Sequence, residues 1–120
     1  MSTSKEGFIT INRDGFPPIR FKMAPDCYWC GSSWSSTSAR WTEVHIYKTI
    51  GGKYIAEVEN RTQSQGERGF TKAEVFTTPA EVIAYLKGDE ERLGRVSQEA
   101  VSDACRSDPE FAKAFVVEVD

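Results

Sequence analysis

The chain has 120 residues, of which 39% are hydrophobic, 12% aromatic and 28% charged. That is one domain's worth of chain, able to bury a core of its own without staples. Fifteen Lys and Arg against 18 Asp and Glu leave a net charge of −3, which excludes a field that would hold duplex DNA non-specifically. No apolar run approaches the roughly 18 residues of a membrane span and no signal-peptide core follows Met1, so a cytoplasmic protein with no membrane partner is expected.

Residues 7–12 alternate apolar and polar side chains, the Asp14-Gly15 pair signals a turn, and a second short run follows Pro17-Pro18 over residues 19–23. Residues 24–39, broken by Pro25, Gly31 and many serines, read as a long loop. Long loops in compact domains are often functional, so Tyr28, Trp29 and Trp34 are either ligand or partner contacts or anchors of the loop. Three cysteines are an odd count for a disulfide framework. Cys27 and Cys30 form a CxxC, but zinc needs about four ligands and no second pair follows. The single histidine, His45, lies on a strand-like run, and no metal site is expected.

The segment from Arg40 to Thr62 holds the clearest local pattern. Val44, Ile46 and Lys48 alternate with Glu43, His45 and Tyr47, Gly51-Gly52 supplies a tight hairpin turn, and Tyr54, Ala56 and Val58 continue on a partner strand. A further strand fits residues 70–77. Thr78-Pro79-Ala80-Glu81 carries the marks of a helix start, with Gly88 as its stop. Leu93, Val96, Ala100, Val101 and Ala104 recur at helical spacing and predict a second helix from about Glu90 to Cys105. Asp108-Pro109 opens a short third one bearing Phe111 and Phe115. The expected fold class is α+β: one domain over 1–120, with an antiparallel sheet in 1–78 and two or three helices in 79–120. Charge divides with that boundary, ten Lys or Arg against eight Asp or Glu in the first part and five against ten in the second. Solvated acidic helix faces account for the split, and a small anionic ligand would favour the sheet side.

The recurrent hydrolase, nucleotide-triphosphatase, zinc-protease and dinucleotide-binding signatures are missing. Glu43, Glu57, Glu59 and Glu74 lie on strands, where cross-strand charged pairs are ordinary surface pairing. No catalytic residue and no cofactor is assigned, and the chain is not expected to be an enzyme. The connection from Arg61 to Phe70 is richer. Arg61 and Arg68 can grip phosphate oxygens, Gln63 and Gln65 can read a base or ribose edge, and Trp41 or Phe70 can stack against a base. A solvated hairpin loop has the same composition. Arg20 and Arg106 join the candidate ligand-binding set on charge placement alone.

Residues 40–86, through Arg40-Trp41-Thr42-Glu43, Tyr47-Lys48-Thr49, Gly51-Gly52-Lys53-Tyr54, Arg61-Thr62-Gln63, Gln65-Gly66-Glu67 and the Thr-Pro-Ala-Glu helix start, resemble the body of the phage Thoeris anti-defence family, which sequesters cyclic ADP-ribose signals. The resemblance implies a sheet followed by helices that join subunits, with ligand pockets between them. It implies a sponge that holds a cyclic nucleotide immune signal, a cyclic ADP-ribose isomer or a cyclic oligonucleotide, without cleaving it, in the host cytoplasm if a phage encodes it. Arg61, Gln63, Gln65 and Arg68 are the residues it carries. The apolar helix residues add an expected homodimer or higher homo-oligomer, since one small sheet face covers few of them. The alternative is an anti-CRISPR-like inhibitor acting by protein contact through the acidic helices or the aromatic loop.

Overall fold

The computed structural model describes residues 2–3, 7–64, 66, 69–117 and 119. Among the described residues, six strands form one antiparallel sheet in simple sequence order: β1 (Ser2–Thr3), β2 (Phe8–Arg13), β3 (Phe16–Ser32), β4 (Arg40–Thr49), β5 (Tyr54–Thr62) and β6 (Phe70–Phe76). The helices that follow among the described residues are α1 (Pro79–Lys87), α2 (Arg95–Ser107) and α3 (Pro109–Ala114). The architecture is α+β, as the periodicities imply. No helix among the described residues is long and apolar enough to cross a membrane.

The long loop expected over residues 24–39 is corrected. Its first half belongs to β3, a strand of 17 residues that pairs with β2 through its first part and with β4 through its second. Between Met23 and Tyr28 the register shifts, and Asp26 takes a left-handed φ of 58°, a conformation that Asp tolerates better than most residues. Such a bulge bends a strand, and Pro25 sits in it, where a missing ladder N–H does little harm. Beyond the bulge alternation resumes. Trp29 is buried and donates its indole N–H to Ser107 Oγ at 2.7 Å, while Gly31 lies so close to α2 that a Cβ there would run into the Val96 carbonyl oxygen. Only residues 33–39 form a loop.

The bend lets the meander curl on itself into a half-barrel. At the tip of the β2–β3 hairpin, the Asp14 amide donates to the Thr71 carbonyl (3.2 Å), Asp14 Oδ2 accepts from the Thr71 amide (2.6 Å) and Arg13 donates to the Ala73 carbonyl (3.1 Å). The first strands are thereby pinned against β6. The concave face buries Ile9, Ile11, Ile19, Phe21, Tyr47, Ile55 and Ala73. On the convex face, Trp29, Val44, Ile46, Tyr54 and Ala56 pack against Val82, Ala100, Val101, Ala104 and Phe111 of the helices.

α1 carries the predicted capping box, with Thr78 and Glu81 bonded reciprocally, and ends at Gly88. α2 begins at Arg95 rather than Glu90. Glycine flanks the intervening segment at 88 and 94, and Gly94 caps α2 with no side-chain bond, so helix propagation has poor starting material before Arg95. Asp108 caps α3, accepting from the Glu110 amide, and also receives the Tyr54 hydroxyl at 2.8 Å and Lys48 at 3.6 Å. That buried carboxylate ties the helical layer to β4 and β5.

Candidate functional site

The hairpin of β4 and β5 positions the site. Its turn is closed by the Thr49 amide on the Lys53 carbonyl and the Gly52 amide on the Thr49 carbonyl, with Gly52 at a φ of 86° that favours glycine. That turn fixes a register pairing Trp41 with Arg61, Glu43 with Glu59, His45 with Glu57 and Tyr47 with Ile55. Side chains two residues apart share a face, so these four rows all project from the concave face. Towards Tyr47 the rows run into the apolar interior; towards Trp41 they open to solvent.

Within this patch the contacts are short. His45 Nε2 lies 3.2 Å from Glu43 Oε1 and 3.5 Å from Glu59 Oε1. Its Nδ1 is 2.6 Å from the Tyr28 hydroxyl, the two rings stacking with centroids 5.8 Å apart. The Trp41 indole N–H donates to Glu43 Oε2 at 2.7 Å, and Arg61 Nη1 donates to Glu59 Oε2 at 3.0 Å. Arg61 also lies over the Trp41 ring, 5.8 Å from its centroid. Deeper in, the Tyr47 hydroxyl donates to Glu57 Oε1 at 3.1 Å. Glu57 is buried, and desolvation, with the Glu59 charge next, raises its pKa to about 7, while the Tyr47 hydrogen bond acts the other way. Burial likewise pushes the Tyr28 and Tyr47 hydroxyls well above the ordinary tyrosine range.

Of the ligand-binding residues expected from sequence, Trp41, Arg61, Gln63 and Phe70 come together around a cleft of 590 Å³ at the open end of the sheet, with Glu59, Asn60 and Thr71 in its wall. Gln65 and Arg68 lie outside the described residues. Arg20 is elsewhere, stacked 4.2 Å from the Phe8 ring centroid in a separate hollow lined by Ile50 and Val75. Arg106 is on α2, in the helical layer, 3.4 Å from Asp103. Cys27 packs into the helix-side core and Cys30 pairs with His45 on the other face, which separates the two ends of the CxxC.

Glu43, His45, Glu57 and Glu59 were read from sequence as ordinary strand polar positions. The signal that gathers them is the hairpin register: a turn centred on Gly51-Gly52 places the triplet Glu43-Val44-His45 opposite Glu57-Val58-Glu59. The patch offers an imidazole and three carboxylates for cation binding or proton exchange, next to a cleft with an aromatic ring, a guanidinium and amides. In comparisons with protein-family models, with curated proteins and with solved structures, nothing matches this chain.

Proposed function

We propose that the chain is a binding protein that takes a cyclic nucleotide of the cyclic ADP-ribose kind into the cleft at the open end of the half-barrel and holds it without cleaving it. The observation that carries this reading is the convergence of Trp41, Arg61, Gln63 and Phe70 on one 590 Å³ cleft, a volume in the roughly 300 to 1,000 Å³ range of small-molecule sites. A flat indole suits a base, and an amide suits a ribose or base edge. Arg61 turns Nη1 to Glu59 and Nε towards Glu43, and its remaining nitrogen still has N–H groups to give to a phosphate. The resemblance of residues 40–86 to the Thoeris anti-defence family supports the same ligand class and a homo-oligomer.

Incubation with a cyclic ADP-ribose isomer, followed by heat denaturation, tests the reading. Intact ligand should be depleted from solution and then recovered unchanged; conversion would make the protein an enzyme, and no depletion would leave inhibition by protein contact. Arg61→Ala is expected to weaken binding by about 1.5 to 3 kcal/mol, tenfold to more than a hundredfold, and to lose the ligand-induced rise in melting temperature. Light scattering on the same samples should give a multiple of the 13.5 kDa chain mass.

A further inference from the structure

We propose that Glu43, His45 and Glu59 form a binding site for one first-row divalent cation on the concave face, with Glu43 Oε1, His45 Nε2 and Glu59 Oε1 as its three protein ligands. One donor atom from each of these residues lies within 4.8 Å of the other two. The separations from His45 Nε2 to the two carboxylate oxygens, 3.2 and 3.5 Å, match what a cation requires: ligands about 2.0 to 2.2 Å from a common centre stand about 3.0 to 3.6 Å apart. The inference does not depend on the nucleotide reading.

The pattern of outward hydrogen bonds points the same way. Each of the three side chains has its other polar atom held by a neighbour: Glu43 Oε2 by the Trp41 indole, Glu59 Oε2 by Arg61, and His45 Nδ1 by the Tyr28 hydroxyl. Metal ligands characteristically have such outer partners, which fix the donor atom and its direction. With Nε2 on a cation, Nδ1 carries the proton and donates it to the Tyr28 oxygen. His45 Nε2 is fully buried and, although the two carboxylate oxygens lie 3.2 and 3.5 Å away, makes no hydrogen bond, a state that costs about 1 to 3 kcal/mol for a polar group. The register also sets Glu43 directly opposite Glu59, where like charges destabilise a sheet, and Arg61 is half exposed. A divalent cation satisfies the orphaned nitrogen and offsets the facing carboxylates at once.

One imidazole and two carboxylates are borderline-to-hard donors that suit zinc, manganese or ferrous iron. Three protein ligands leave coordination positions open, and Glu59 also stands in the wall of the Trp41–Arg61 cleft. Protonation of His45, which would pair the ring with both carboxylates, is the competing account.

Calorimetric titration of the chelator-treated, full-length protein with manganese or zinc chloride decides between them. The expected result is saturable one-to-one binding, tighter for zinc than for manganese, weakened at least about tenfold by Glu59→Gln and by His45→Gln. Manganese controls for the free thiols, which favour softer ions. Binding that is undetectable at millimolar metal, or equally tight in both variants, overturns the site. Should His45→Gln fail to fold, the ¹⁵N shifts of His45 in the wild type take its place: a metal-dependent change at Nε2 supports the assignment, and an unchanged Nε2 resonance at saturating zinc rejects it.

Discussion

Glu57 shows how one residue in the patch links fold and chemistry. Its carboxyl is buried between β4 and β6, opposite His45 and bonded by Tyr47, and its pKa rises from an unfolded value of 4.5 to about 7. A raised carboxyl pKa means that the folded state holds the proton more tightly than the unfolded chain. The stability contributed is therefore complete below pH 4.5 and lost as the pH rises through 7. At about 1.4 kcal/mol per unit, the loss has a ceiling of about 3 kcal/mol. Glu57→Gln keeps the shape and an acceptor for Tyr47 without the charge. In metal-free buffer the variant should melt higher than wild type at pH 8 and indistinguishably at pH 4, by circular dichroism. Equal melting at pH 8 would show that Glu57 titrates like a solvated carboxyl. None of this is visible in composition, since a glutamate in alternation on a strand looks the same whether its face is open to water or closed by a curl.

Among the elements, those with local signals were legible and those defined by distant contacts were not. The β4–β5 hairpin follows from alternation and a Gly-Gly turn, and α1 from its capping box, because each is written in one continuous run of the chain. β3 escaped because its bulge around Asp26 inserts three extra residues and so swaps the faces of the alternation, and because Pro25 and the serines from Ser32 onward imitate a loop. What makes residues 27–32 a strand is pairing with β4 and packing of Trp29 and Gly31 under α2. The candidate site divides in the same way. Trp41, Arg61, Gln63 and Phe70 could be gathered from one hairpin and the connection after it, whereas placing Tyr28 against His45 required β3. Gly31 supplies the test at this scale. Its α hydrogens face the Val96 carbonyl and the Glu99 Cβ, so Gly31→Ala must push α2 away from the sheet or strain β3. The expected cost is about 1 to 3 kcal/mol in urea unfolding, the range for overpacking. A variant as stable as wild type would mean that α2 has slack over β3.

Across the whole molecule, the sheet has two buried faces rather than the single one on which the oligomer argument was built. The apolar helix residues expected to need a second subunit, Val82, Ala100, Val101 and Ala104, are buried inside one chain. Phe115, Val116 and Val117 are among the hydrophobic residues that face solvent, next to Ile83 and Leu93, and they are the surface that the proposed oligomer would have to use. The two cores share their middle strands: β4 sends Val44 and Ile46 to the helices and Tyr47 to the concave side, and β5 sends Tyr54 and Ala56 one way and Ile55 the other. Neither core can dissolve while those strands keep their register, so the chain should unfold in one cooperative step. Ile55→Ala empties the concave core and Phe111→Ala the helix-side core, where the Phe111 ring meets the edges of Trp29 and Tyr54 with centroids 5.9 and 5.3 Å away. Each truncation should cost about 2 to 5 kcal/mol. Each should also lower the same transition whether it is followed by far-ultraviolet circular dichroism or by tryptophan fluorescence. Separate transitions in either variant would show that the curled strands and the helical layer are independent folding units.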